Sequence, residues 1–303
     1  MSTLDVALTR IRAFRRTSAV IADYVSLTKP RIVVVLMLTA YGAMTVASGG
    51  VPSPWLSIVT LLGLGLAAGG AHAVNMWYDR DIDPLMARTR NRPIPAGRIQ
   101  PRVSLAMGLV MAAVAAILLV VTVDWLTAAL TVAGFLYYVV IYTMTLKRRT
   151  AQNIVIGGAA GAFPPLVGWA AVTHQLAWPA WMMFLIIFLW TPPHFWSLAL
   201  FRAEDYRRAH VPMMPVAHGE QATKRQSVVY AGLTLLATLG LAYAHLGWVY
   251  VVIAGSLALA FFGANVRLLK EKLPDVRWAK RTFGLSVLFM SGLVIAIVVG
   301  TLV

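Results

Sequence analysis

Nine runs of roughly 17 to 25 mostly apolar residues divide the chain. They are centred near Leu38, Leu66, Ala112, Ala133, Gly161, Ile187, Thr238, Leu257 and Val294. A run of that length crosses a bilayer as a helix, because a backbone in hydrocarbon has to satisfy its own hydrogen bonds. All 26 Lys and Arg residues fall in five segments: six in 1–31, six in 78–102, three at Lys147, Arg148 and Arg149, five in 202–225 and six in 267–281. The alternate connections, around Gly50, Asp124, His174 and His245, hold none. A miscounted span would mix the two classes, so the expected fold is an all-α, polytopic membrane protein of nine transmembrane helices. The same asymmetry places the N-terminus in the cytoplasm and the C-terminus outside.

Composition agrees. Hydrophobic residues make up 59% and charged residues 12% of the 303, and the mean hydropathy is +0.75, far from globular usage. The net charge of +15 would suit nucleic acid, but its segregation into alternate loops is topological, and nucleic acid is not an expected partner. With no cysteine, disulfides, thiolate metal sites, iron–sulfur clusters and cysteine nucleophiles are excluded. Any metal has to use oxygen or nitrogen ligands. Arg10, Arg12, Arg15 and Arg16 precede the first apolar run, so 1–30 reads as a basic cytoplasmic leader rather than a cleavable signal. The whole chain, 1–303, reads as one transmembrane domain.

Two cytoplasmic loops, about 78–102 and 202–225, are long for a compact bundle and hold six of the 11 acids. Loops of that kind carry function. They follow the second and sixth spans, which hints at duplication of a four-helix unit. In the first, NMWYDRDIDPLMARTRNRPIPAGRI, Asn75, Asp79 and Asp83 recur at four-residue steps. On a helix such positions drift only about 40° per step and share a face, while Asp81 points away. Pro84 disfavours helix at Asp83, which sets that carboxylate where the helix opens into the loop. Carboxylate and amide oxygens at a membrane boundary suit Mg2+, a hard cation that shares its coordination with substrate phosphates. Arg88, Arg90, Arg92 and Arg98 add bidentate phosphate donors. Metal and arginines together point to a diphosphate, against the plainer reading of a solvated helix end. Arg80 and Asp81 read as structural.

The stretch Asn75–Pro93, N-x-x-x-D-R-D-I-D-x-x-M-x-R-T-x-x-R-P, resembles the signature of the UbiA superfamily of intramembrane prenyltransferases, and within it the protoheme IX farnesyltransferase (heme O synthase) family. YTMTLKRRTAQNIVIGGAAGAFPPLVGW from Tyr142, LWTPPHFWSLALFRAEDY from Leu189 and VPMMPV from Val211 extend the likeness over most of the chain. The resemblance implies a nine-helix bundle around a central cavity, with Mg2+ and farnesyl diphosphate at the first aspartate motif. It also implies transfer of the farnesyl group to a vinyl group of heme B, giving heme O and diphosphate in a bacterial inner membrane. Expected partners are farnesyl diphosphate, heme B and membrane lipid, with heme A synthase or cytochrome oxidase assembly factors as candidate proteins. Two alternatives are prenylation of an aromatic quinone precursor, which the PPHFW and DY segments disfavour, and a transporter. The transporter reading is disfavoured because the acids cluster at one rim rather than at mid-depth.

The superfamily's second D-x-x-x-D maps onto FRAEDYRRAHVPMMPV, where Asp205 fits the second carboxylate but Phe201 stands at the first. That departure puts a second carboxylate-bound Mg2+ in doubt. Glu204 faces elsewhere on the helix, and His210 is assigned no role. Asp205 is either a metal or diphosphate partner or an ion-pair partner of Arg207 or Arg208. Lys147 either stabilises the departing diphosphate as a point charge or merely marks topology, as Arg148 and Arg149 do. Asn153 opens the fifth span at the polar end of the expected cavity. His194 follows Pro192 and Pro193, a pair expected to break the helix, and it either binds heme or is a hydrogen-bonded structural histidine. His174 and His245 read as interfacial, and His72 lies a turn before Asn75. Gly157, Gly158, Gly161 and Gly168, with Pro164 and Pro165, either shape a prenyl groove or serve close helix packing.

Reporter fusions at Gly50 and Gln100 are expected to lie on opposite sides of the membrane. Agreement between them would overturn the span count.

Overall fold

The computed structural model describes residues 18–272 and 274–303. Arg10, Arg12, Arg15 and Arg16 of the basic leader lie outside the described residues. Among those described, every regular element is helical. Among the described residues nine helices are long and apolar enough to cross a membrane: Pro30–Ser48, Pro54–Asp81, Pro101–Thr122, Trp125–Leu146, Asn153–Thr173, Trp178–Leu200, Gly219–Ala244, Gly247–Leu268 and Arg277–Leu302, called spans 1 to 9 below. Each contains one of the nine centres read from the sequence.

Their boundaries follow from local chemistry. Pro30, Pro54 and Pro101 are the first residues of spans 1, 2 and 3, where a missing donor removes only an orphan N–H. Asp124 caps span 4, its Oδ1 accepting from the Thr127 amide at 2.9 Å. Span 1 ends at Gly49 in the left-handed region, φ 60°, which closes the helix without a Cβ penalty. The carboxylate of Glu271 accepts from the Trp278 and Ala279 amides at 2.5 and 3.0 Å, satisfying two donors at the start of span 9.

Each span packs on its successor and the ninth packs on the first, so the spans close into a ring; span 1 also packs on span 5, and span 6 on span 9. Burial is uneven: 72% of span 5, 67% of span 2 and 61% of span 6 is buried over its apolar window, against 17% for spans 3 and 4. The spans that carry the sequence motifs are therefore the interior ones. Close approach is built on glycine. A Cβ at Gly168 would lie 2.2 Å from the Ala40 carbonyl oxygen, and Cβ atoms at Gly157 and Gly158 would lie 2.3 and 2.9 Å from Tyr142 and Thr191. At Gly161 nothing lies within 4 Å. Three of the four glycines in span 5 thus serve close packing.

Three features depart from a plain reading of the sequence. Pro192 and Pro193 do not break span 6, which runs as one helix over Trp178–Leu200 with both proline rings buried. The helix continues although the pair lacks two amide donors, and His194 lies within it rather than at a broken end. Span 5 instead divides at Gly158, between Asn153–Gly157 and Ala159–Thr173. The last ten residues of span 4, Tyr137–Leu146, wind as a π-helix, a form that marks functional segments when it interrupts an α-helix.

Replacement of Gly168 by Ala is expected to lower the thermal midpoint of the purified protein, at an overpacking cost of about 1–3 kcal/mol. Gly161→Ala is expected to leave it unchanged. Equal melting of both variants would contradict the backbone contact between spans 1 and 5.

Candidate active site

The regular α-helix of span 2 ends at Tyr78; Asp79–Asp81 and Asp83–Leu85 are single 3-10 turns. The shared helical face expected for Asn75, Asp79 and Asp83 therefore does not extend to Asp83. The three residues are nevertheless brought inward, with Asn75 3% exposed and both carboxylates 0%. Their partners draw them there. Asn75 donates from Nδ2 to Asp79 Oδ2 at 2.8 Å and to Thr143 Oγ1 at 3.2 Å. Lys147 donates to the same Asp79 oxygen. Asp83 is gripped by Arg92, whose Nη1 reaches its two oxygens at 2.9 and 2.8 Å. The Thr89 hydroxyl donates to the Asp83 carbonyl at 2.8 Å, which fixes the turn.

Asp81 faces outward, as expected, with its side chain 59% exposed, and it pairs with Arg148 at 2.6 Å. Arg148 also lies 3.6 Å from Asp79 Oδ1, donates to the Tyr78 carbonyl at 3.0 Å and stacks over the Tyr78 ring. It belongs to the cluster and is more than a topological charge. Arg80 donates to the Trp77 carbonyl at 2.8 Å, a structural contact. Arg98 does not join the cluster; it holds Asp23 at 2.8 Å and the Asn91 carbonyl at 3.1 Å, and so ties the loop to the segment before span 1. Arg88 and Arg90 are exposed.

Lys29 was not singled out by the sequence, where it merges with the leader charges. It directly precedes Pro30, adopts φ 50°, and donates to Asn75 Oδ1 at 3.1 Å. Burial is the main cause holding its ammonium well below the usual lysine pKa, and the nearby positive charges of Arg92, Lys147 and Arg88 reinforce it while Asp79 opposes. A cation paired with a neutral amide and surrounded by further cations leaves the cluster short of negative charge. The position just ahead of a span's opening proline is the one sequence signal that marks it.

The second loop meets the first. Asp205, on the short helix Ala203–Arg208, accepts from the Ala87 amide at 3.5 Å and lies 4.0 Å from Arg202. Arg207 and Arg208 pair with Glu204 instead, so Asp205 is turned toward the first loop. Next to it, burial raises the pKa of the Tyr206 hydroxyl, with Arg88 as a hydrogen-bond partner pulling the other way. Phe201 contacts Phe283 of span 9, ring centroids 6.2 Å apart. The position that departs from the two-carboxylate pattern thus faces an aromatic group. His210 adopts φ 52°.

That aromatic group surrounds His194. Its ring stacks on Trp190 at 4.3 Å and on Phe283 at 4.9 Å, and meets Phe195 edge-on at 5.0 Å. Its Nδ1 is 2.6 Å from the Ser286 hydroxyl, and the Trp190 indole donates to the Ser286 carbonyl at 3.0 Å. Ser286 carried no sequence signal. Asn153 is fully buried and donates to the Thr150 and Lys147 carbonyls at 2.7 and 3.4 Å, which braces the turn that carries Lys147. His72 contacts the Tyr138 hydroxyl at 3.2 Å. His174 pairs with Asp124 at 3.1 Å, away from the cluster, and His245 adopts φ 60°.

The donor set fits a hard cation. Asn75, Asp79, Asp83 and Asp205 offer oxygen only, and Asp79 Oδ1 is buried without a hydrogen-bond partner. Among the described residues no three His, Asp or Glu side chains converge as a metal cluster, and Lys147 and Arg92 pair with the two aspartates. Oxygen donors interleaved with cations suit a metal and a polyanion bound together.

Residues 35–293 match the UbiA prenyltransferase family. The chain is 54% identical over 277 residues to the protoheme IX farnesyltransferase of Symbiobacterium thermophilum, covering 91% of this chain and 92% of that one. It is 48% identical over 286 residues to the protoheme IX farnesyltransferase of Gloeobacter violaceus, covering 94% and 93%. The fold is similar to a digeranylgeranylglyceryl phosphate synthase at TM-score 0.76 and 16% identity, covering 93% of this chain and 99% of that one. It is also similar to a UbiA homologue from Archaeoglobus fulgidus bound to GPP and Mg2+, at TM-score 0.65 and 18% identity, covering 91% and 99%. With a nine-span helical bundle and a family match across most of its length, this chain belongs to the UbiA prenyltransferase family.

Proposed function

We propose that this protein transfers the farnesyl group of farnesyl diphosphate to a vinyl group of protoheme IX, releasing diphosphate. The reading rests on the buried cluster of Asp79, Asp83 and Asn75 with Lys29, Lys147 and Arg92, in a chain about half identical to proteins named protoheme IX farnesyltransferase. In this reading the diphosphate is held by Lys29, Lys147, Arg88 and Arg92, while Asn75, Asp79, Asp83 and Asp205 would hold Mg2+. Bound there, Mg2+ would neutralise charge on the leaving group.

The chain's own part is electrostatic. As the allylic C–O bond breaks, both electrons leave with the diphosphate oxygen, and cations fixed beforehand interact more strongly as that charge grows. Lys29 gains most, since its partner in the structure is a neutral amide. The vinyl terminus of the porphyrin then attacks the farnesyl cation, and water captures the resulting cation with loss of a proton, leaving a hydroxyethylfarnesyl side chain. The apolar interior formed by spans 2, 5 and 6 shields the farnesyl cation from water until attack. No protein nucleophile is required. His194 binds the heme. The bacterial relatives and the positive-inside rule support an inner-membrane location with the N-terminus cytoplasmic and the C-terminus outside.

Asp79→Ala and Asp83→Ala are each expected to reduce diphosphate release from farnesyl diphosphate and protoheme by at least about 10²–10³-fold, with the protein still folded in detergent. Asp81→Ala is expected to be mild; a loss equal to the other two would refute the assignment of an outward, structural role. Asp205→Ala should be severe. Chelation of divalent metal should abolish turnover and Mg2+ should restore it.

His194→Ala is expected to weaken protoheme binding, followed at the Soret band, while farnesyl diphosphate affinity stays at the wild-type value. Failure of the wild type to bind protoheme at all would move the acceptor to an aromatic quinone precursor.

A further inference from the structure

The hydrogen bonds around His194 determine which of its ring nitrogens carries the proton. The Ser286 hydroxyl lies 2.5 Å from the Phe283 carbonyl oxygen. Two oxygens approach that closely only with a hydrogen between them, and the carbonyl has none to give. The single hydroxyl proton of Ser286 is therefore committed to Phe283. The same hydroxyl oxygen lies 2.6 Å from His194 Nδ1, and with its proton engaged it can only accept there. Nδ1 is the donor, and in the neutral ring the lone pair then resides on Nε2. Among the described residues Nε2 has no hydrogen-bond partner. The ring plane is held by stacking on Trp190 and Phe283, and Trp190 is itself tied to Ser286 through its indole N–H.

An imidazole that donates from Nδ1 to a fixed acceptor and offers Nε2 is oriented as a metal ligand, since the donated hydrogen bond sets the tautomer and raises the basicity of the other nitrogen. We propose that Ser286 is a positioning residue that holds His194 as its Nδ1–H tautomer and so presents Nε2 to the iron of the heme substrate. This rests on the proposed farnesyl transfer to heme and on His194 as the heme-binding side chain. It adds span 9 to the acceptor site. The device also explains why a histidine this enclosed by aromatic rings needs a polar residue from a neighbouring span: without the hydroxyl, the Nδ1 proton would face apolar surroundings, and the other tautomer would compete.

The tautomer can be read without heme. In full-length protein labelled with 15N-histidine, the His194 signal is identified by its absence in His194→Ala. It is expected to show a protonated Nδ1 and a lone pair at Nε2. Ser286→Ala should lose that preference, and Ser286→Thr, which keeps the hydroxyl, should retain it. Titrated with ferric protoheme, Ser286→Ala should bind about 10–100-fold more weakly and Ser286→Thr near the wild-type value, with farnesyl diphosphate affinity unchanged in both. A wild-type His194 protonated at Nε2 overturns the proposal, as does a folded Ser286→Ala with wild-type protoheme affinity. Should Ser286→Ala fail to fold, the wild-type tautomer and the Ser286→Thr titration still decide. If the tautomer is as expected but His194→Ala binds protoheme like the wild type, the heme-binding role of His194 falls, and the iron-ligand half of the proposal falls with it.

Discussion

Two carboxylates with no exposed surface, Asp79 and Asp83, set the terms for the end of the bundle that holds them. An ionised group taken out of water costs several kcal/mol unless cations and donors replace its hydration. The fold supplies them from four places: Lys29 just before span 1, Asn75 in span 2, Lys147 and Arg148 just after span 4, and Arg92 in the first long loop. Loss of any one leaves a charge or a polar group unmatched in a dry setting, so the network couples these segments more firmly than apolar packing would. Its excess of cations over carboxylates is also what fits it to a polyanion.

The architecture divides the two halves of the proposed reaction between different helices. The ionic cluster is built at the ends of spans 1, 2 and 4 and in the loop after span 2, whereas His194, Trp190, Phe283 and Ser286 belong to spans 6 and 9. Phe201 marks the division. It occupies the position where a second aspartate motif would begin, and its ring instead approaches Phe283. Asp205 reaches the first loop at the Ala87 amide, while Phe201, four residues earlier, forms part of an aromatic wall. A planar, largely apolar acceptor with a central metal suits such a wall and a histidine within it.

Close backbone contact makes this placement possible. Spans 2, 5 and 6 are the buried ones, and span 5 reaches the centre because Gly157, Gly158 and Gly168 leave no side chain where Tyr142, Thr191 and the Ala40 carbonyl lie. Dispersion and short contacts, rather than a hydrophobic driving force, hold helices together in lipid. The polar cluster and the glycine contacts therefore supply complementary kinds of specificity, one at the loop end and one along the spans.

Span number and the alternation of sides are legible in the amino-acid order, through hydropathy and the distribution of Lys and Arg, because insertion energetics act on composition along the chain. The inward pointing of Asp79 and Asp83 and the outward pointing of Asp81 are legible too, although the reason is not. The helix ends at Tyr78, and it is Arg92, Lys147 and Asn75 that turn the acids inward. The cluster roles of Lys29 and Arg148 and the part of Ser286 are not visible in the sequence because they come from neighbours 46, 67 and 92 residues away, a distance over which local patterns are silent. The unbroken helix through Pro192 and Pro193, the division of span 5 at Gly158 and the π-helical end of span 4 likewise have no signature in the local sequence pattern. The sequence by itself determined how many helices are long and apolar enough to cross a membrane and which loops hold the clustered acids; the tertiary structure alone decided which side chains meet, because burial and charge pairing are properties of neighbours in space.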